Sequence, residues 1–103
     1  MLWALLDTGA DCTIVPRATP RALRLPAIDE VWIEGVAGVA RRRTVYQARV
    51  EFAGISSLAP VVALGDHAIL GRDLLNHVVA RLDGPALTLS LQPARRPGRV
   101  GRQ

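Results

Sequence analysis

The feature that most constrains the fold is the stretch at residues 5–13, Leu-Leu-Asp-Thr-Gly-Ala-Asp-Cys-Thr, in which an apolar segment runs into an acid and then resumes. The apolar residues before Asp7 predict a short buried strand, so the carboxylate lies where that strand ends. Gly9 follows two residues later, and glycine lets the backbone turn at little steric cost while exposing amide groups beside the acid. The stretch therefore predicts a strand, a tight loop that begins with a carboxylate, and a second strand.

Two other segments narrow the interpretation. Residues 33–39 read Ile-Glu-Gly-Val-Ala-Gly-Val, and residues 68–76 read Ala-Ile-Leu-Gly-Arg-Asp-Leu-Leu-Asn. Asp7-Thr8-Gly9-Ala10 resembles the active-site loop of single-domain retroviral aspartic peptidases, the retropepsins. Residues 33–39 resemble the flap of that family, and residues 68–76 resemble its Gly-Arg segment with a leucine-rich helix. A short motif alone is weak evidence. Three matches in the family's order and spacing, over roughly residues 2–91, make coincidence a poor explanation.

The resemblance implies an all-β, retropepsin-like acid protease fold, a closed barrel with a short C-terminal helix, that acts as a homodimer. We expect the protease domain at residues 1–92 and a basic, disordered tail at residues 93–103. Only six residues precede Asp7, so the family's first strand is expected to be truncated.

Acid protease chemistry needs two carboxylates close together, one acting as base and the other as acid. Like charges at that separation do not both ionise, so such a pair holds one proton. As the resemblance implies, Asp7 is catalytic, its partner is Asp7 of a second subunit, Thr8 locks the two loops together and Gly9 presents its backbone to the substrate. The alternative for Asp7 alone is an aspartate that merely opens a turn.

The resemblance also assigns substrate-binding and supporting residues. The expected substrate-binding residues are Ala10, Asp11, Gly35, Val36, Ala37, Gly38, His67 and Ile69. Arg72 and Asp73 are expected to support the site, with Arg72 forming an ion pair with Asp11, since a bidentate guanidinium suits a carboxylate. Two unrelated surface charges are the alternative for that pair.

Local patterns predict the remaining elements. A helix is expected over 17–25, with Thr19 as its N-cap and Pro20 in its first turn. Period-two alternation predicts hairpin arms at 30–33 and 39–52, and a last strand at 86–91 with Leu87, Leu89 and Leu91 on a buried face. The other predictions are a strand over 55–64 interrupted by Pro60, a brief strand at 69–70, a helix over 72–77 and a strand at 78–82.

Charge argues against a nucleic-acid protein. The formal net charge is +4, but four arginines lie in the last nine residues and the rest of the chain is balanced. Arg41, Arg42 and Arg43 would alternate between the two faces of a strand and form no single basic surface. We therefore expect a peptide or protein substrate and no nucleic-acid partner, with a tail-dependent nucleic-acid binder as one alternative.

No cofactor or metal is expected, because His67 and His77 have no cysteine or acid at ligand spacing. Cys12, the one cysteine, is expected to be a packed side chain. No apolar run reaches the length of about 18 residues needed to cross a membrane, and Met1 to Leu6 lacks a signal-peptide pattern, so a cytoplasmic, non-membrane protein is expected. A second alternative is an inactive, truncated relative that serves as a dimerisation or peptide-binding module.

Overall fold

The computed structural model describes residues 2–34 and 38–94, which fold mostly as β-strands. In chain order the elements are β1 (Ala4–Leu6), β2 (Thr13–Val15), α1 (Thr19–Leu23), β3 (Ala27–Glu34), β4 (Ala40–Phe52), β5 (Ile55–Ala63), β6 (Ala68–Leu70), α2 (Arg72–Leu75), β7 (Val78–Asp83) and β8 (Thr88–Pro93).

Six strands form one sheet in the order β1-β6-β2-β5-β4-β3, and β7 and β8 form a separate two-stranded sheet. β1 pairs with β6, and β2 with β5, in parallel, whereas the other pairs are antiparallel. The sheet thus places the loop after β1 beside the start of α2, because β1 and β6 run side by side and end together.

The all-β prediction is confirmed, but the predicted closure of the barrel is wrong for the described residues. Their six-stranded sheet is open, with β1 and β3 as its edges. A closed barrel requires every strand to pair on both sides. The three-residue β1 pairs with β6 alone, so its other edge is free within the described chain.

Both helices are shorter than predicted. The N-cap of α1 is Ala18, without a side-chain cap bond, so Thr19 is already helical and the predicted Thr19 cap is wrong. Pro20 does lie in the first turn, where its missing N–H costs no helical bond. The second helix ends at Leu75, two residues before the predicted end.

The predicted interruption of a strand at Pro60 is wrong. β5 runs without a break through Pro60, which pairs with Gln47 of β4. The proline is tolerated because β2 pairs with β5 only from Val61 onward, leaving one side of the strand unpaired at residue 60.

The predicted buried face of the last strand is absent in the single chain. Leu87 lies before β8 and is 91% exposed, and Leu89 is also exposed. Leu91 is half-buried. Only Leu89 and Leu91 alternate along β8, because Leu87 lies in the preceding turn with φ +55°. The β7–β8 hairpin stands outside the main sheet, so that sheet does not cover these leucines.

The hydrophobic core lies where β5, β6 and α2 meet. Ala59, Leu70 and Leu74 are buried there, with Leu6 and Phe52 packed against them. Large apolar side chains remain exposed on the β1 segment, including Trp3, which is 92% exposed, and on the β7–β8 hairpin. Within the described ranges, no helix has the length and apolar character of a membrane span.

Candidate active site

Asp7 follows β1 directly and is held by the backbone of its own loop. Its N–H donates to the carbonyl of Leu70 at 3.0 Å, which ties the loop to β6. Its carboxylate Oδ1 accepts a 2.8 Å hydrogen bond from the N–H of Gly9, and its carbonyl accepts from the N–H of Ala10 at 3.1 Å. The loop therefore orients the carboxylate while leaving the residue exposed.

The loop packs closely against the start of α2. The N–H of Arg72 donates to the carbonyl of Ala10 at 2.8 Å. A Cβ at Gly71 would lie 2.4 Å from the carbonyl oxygen of Cys12 and 2.7 Å from its carbon. Only glycine permits this approach, which explains physically why the Gly-Arg segment accompanies the Asp-Thr-Gly loop.

Thr13 is a supporting residue that the sequence did not predict. The residue is 3% exposed, and its hydroxyl accepts from the N–H of Gly71 at 3.2 Å while donating to Oδ1 of Asp73 at 2.8 Å. Asp73 also accepts from the backbone of Thr13 and of Leu74. This network joins β2 to the segment that carries Arg72.

Arg72 and Asp11 form an ion pair between Nη2 and Oδ1. Both side chains are substantially exposed in the single chain, at 55% and 82%. Exposed ion pairs contribute about 0–1 kcal/mol, so the contact positions the two side chains more than it stabilises the fold.

A cavity of about 740 Å³ opens beside this loop, under the hairpin formed by β3 and β4. Ala10 and Asp11 line one side of it, as do Cys12 and Ile14, and most of the remaining lining is apolar. The other lining residues are Ile28, Asp29, Val31, Trp32, Ile33, Glu34, Val45, Pro60 and Val62.

The other predicted substrate-binding residues that the structure describes, Gly38, His67 and Ile69, do not line this cavity. Gly38 is exposed with φ +75° just before β4, and Gly35, Val36 and Ala37 lie outside the described residues. His67 is exposed in the loop before β6 and does not line the cavity. Ile69 is half-buried and pairs with the cavity-lining Ile14. Their roles in substrate binding stay predictions.

Cys12 lines the cavity but is poorly suited to nucleophilic chemistry. Burial, and then the nearby charge of Asp73, raise the pKa of its thiol. A raised pKa keeps the sulfur protonated, whereas the thiolate is the reactive form. Among the described residues, no group of three or more His, Cys, Asp or Glu side chains is arranged to hold a metal ion.

By sequence, the retroviral aspartyl protease family matches residues 1–83. Among solved structures, the foamy viral protease-reverse transcriptase in complex with an RNA/DNA hybrid is similar, with a TM-score of 0.60 and 23% identity. The match covers 91% of this chain but 11% of that one, and it confirms the retropepsin-like fold. Among curated proteins, none matches the chain.

Proposed function

Because the chain belongs to the retroviral aspartyl protease family, we propose that it is an aspartic endopeptidase whose catalytic pair is built from two copies of Asp7. The observation that carries the proposal is the placement of the Asp7 carboxylate. It is exposed at a strand end, oriented by the N–H of Gly9, and its loop continues into residues that line a largely apolar cavity.

The chemistry follows from two carboxylates that share one proton. The ionised Asp7 takes a proton from a water molecule held between the pair, and the water oxygen attacks the scissile carbonyl carbon. The protonated Asp7 of the partner subunit donates its proton to the carbonyl oxygen. The resulting tetrahedral intermediate collapses with proton transfer to the leaving amine, so no covalent enzyme adduct forms.

The second carboxylate is proposed to come from a second subunit, because three other aspartates of the chain have partners of their own. Asp11 pairs with Arg72, Asp73 accepts from Thr13, and Asp66 pairs with Arg17. A two-fold axis beside the loop would supply the missing carboxylate from an identical surface. Thr8 would then bond across that axis, and Gly9 would present its backbone to substrate.

The exposed apolar surface supports a dimer. Trp3 and Leu5 on the β1 segment, and Leu82 and Leu87 on the hairpin, are more than half exposed. A chain of this size buries a limited fraction of its surface by itself and gains stability from association.

The direct test is cleavage of peptide substrates at mildly acidic pH by the intact chain and by Asp7→Asn. The matched control is Asp66→Asn, which removes an exposed carboxylate far along the chain that pairs with Arg17. We expect the intact chain and the control to cleave equally well, and a statine-type peptide to inhibit both. Asp7→Asn should be inactive. Cleavage that survives in Asp7→Asn would refute the assignment, and peptide binding without any cleavage would favour an inactive peptide-binding module.

A further inference from the structure

One row of side chains crosses the face of the sheet that lines the cavity. Residues paired across neighbouring strands point to the same face, and Ile14 pairs with Val62, Val62 with Val45, and Val45 with Asp29. All four line the cavity. The row is thus three apolar residues that end in one carboxylate.

The same face continues along β3. Because side chains alternate along a strand, Val31 and Ile33 share a face with Asp29, and both also line the cavity. Asp29 is exposed, and its Oδ1 accepts a 2.7 Å bond from the N–H of Glu30. Its other carboxylate oxygen remains available for a ligand, since a carboxylate has several acceptor positions.

We propose that this row selects a substrate side chain with an apolar stem and a cationic end, lysine or arginine, and that Asp29 is the residue that recognises the cation. The inference rests on the proposed peptidase function and names the substrate class of that site. A lysine side chain packs its methylene groups on apolar surface while keeping its charge in water. Neighbouring strands lie about 4.8 Å apart, so a lysine placed over Val45, which pairs with Asp29, spans the one strand spacing to the edge strand.

The surrounding charges support Asp29 as the selective group. Asp11 and Glu34 also line the cavity. Asp11 is paired with Arg72, and Glu34, five residues from Asp29 along β3, lies on the opposite face of that strand. Glu30 lies on the opposite face of β3 and pairs with Arg42 at 2.7 Å. Arg43 is diagonal to Asp29 in the β3–β4 register, so its guanidinium competes with a substrate cation for the Asp29 carboxylate. In the single chain the Nη1 of Arg43 donates instead to the carbonyl of Arg42 at 3.4 Å.

The test uses extended peptides in which each position in turn carries either lysine or norleucine, which have similar stems and differ in charge. Binding to the full-length Asp7→Asn variant is measured by fluorescence anisotropy, because this variant is expected to bind peptides without cutting them. The variants added to that background are Asp29→Asn, the matched control Glu30→Gln, and Arg43→Gln. Cleavage of the same peptides by the chain with Asp7 intact gives an independent measure.

At one peptide position we expect lysine to bind about three- to fivefold more tightly than norleucine, the size of an exposed ion pair. The preference should fall to about one in Asp29→Asn, persist in Glu30→Gln, increase in Arg43→Gln, and weaken as salt is added. Equal binding of both peptides at every position, or a preference unchanged in Asp29→Asn, would overturn the inference. If norleucine peptides are still cut in that case, the proposed peptidase function stands; if no peptide binds or is cut, both proposals fail.

Discussion

The hydroxyl of Thr13 donates a 2.8 Å hydrogen bond to Oδ1 of Asp73, sixty residues further along the chain. The hydroxyl oxygen of Thr13 in turn accepts a hydrogen bond from the N–H of Gly71. One buried hydroxyl therefore fixes β2 to the turn that enters α2, and through that turn it fixes the loop that carries Asp7.

Replacing Thr13 by valine keeps the side-chain shape and removes these two bonds. The N–H of Gly71 would then be buried without its partner, and leaving such groups unpaired costs about 1–3 kcal/mol each. We expect the free energy of unfolding, measured by urea denaturation, to fall by about 2 kcal/mol. Thr88→Val, at an exposed position of β8, is the control and should change stability little; an equally stable Thr13→Val would show that the network is dispensable.

Gly71→Ala should be more damaging, because its Cβ would lie 2.4 Å from a backbone oxygen of Cys12. The hydrogen bond from the N–H of Arg72 to the carbonyl of Ala10 ties the two backbone segments together and opposes their separation. Overpacking of this kind costs about 3 kcal/mol. Gly84→Ala is the matched control, since nothing lies within 4 Å of its Cβ position, and thermal unfolding of the two variants side by side decides the point.

The turn between β4 and β5 offers a stabilising change. Ala53 and Gly54 form a two-residue loop with φ of +50° and +78°, a turn that prefers Asn-Gly because asparagine tolerates positive φ. Ala53→Asn should raise the free energy of unfolding by about 0.5 kcal/mol. Ala86→Asn, in the β7–β8 turn without positive φ, should not; a gain at both positions would point to a general effect of asparagine.

The raised pKa of Cys12 predicts slow alkylation. Burial and the charge of Asp73 favour the neutral thiol, so at pH 8 a smaller fraction is thiolate in the folded chain than in the unfolded one. Iodoacetamide labelling, followed by mass spectrometry, should be slower for the native protein than for the same protein in urea. The sign also predicts that the contribution of this thiol to stability is present below its unfolded pKa and is lost as pH rises through the raised folded value. Equal labelling rates in the two states would contradict the shift.

Local contacts explain what the sequence predicted well. The orientation of Asp7 by Gly9 involves residues two apart, so the motif itself contains the geometry. Thr13 could not be found in this way, because its partners lie 58 and 60 residues away and a threonine after a cysteine carries no pattern.

The wrong predictions concern features that a local sequence pattern does not determine. Thr19 is the better N-cap by side-chain chemistry, but the helix begins one residue earlier, with Ala18 as an N-cap that makes no side-chain hydrogen bond. For Leu87 and Leu89, alternation predicts that the residues share a face but not which surface covers that face.

The most direct test of the account is a mixing experiment. The intact chain and Asp7→Asn are allowed to exchange subunits, and peptidase activity is measured at a fixed amount of intact chain. If each active site takes one Asp7 from each of two subunits, a ninefold excess of the variant leaves about one tenth of the intact subunits paired with each other, so activity falls about tenfold. An Asp66→Asn partner in the same excess should cause no loss. Activity unchanged by Asp7→Asn would show that one chain carries a complete site and would contradict the shared dyad.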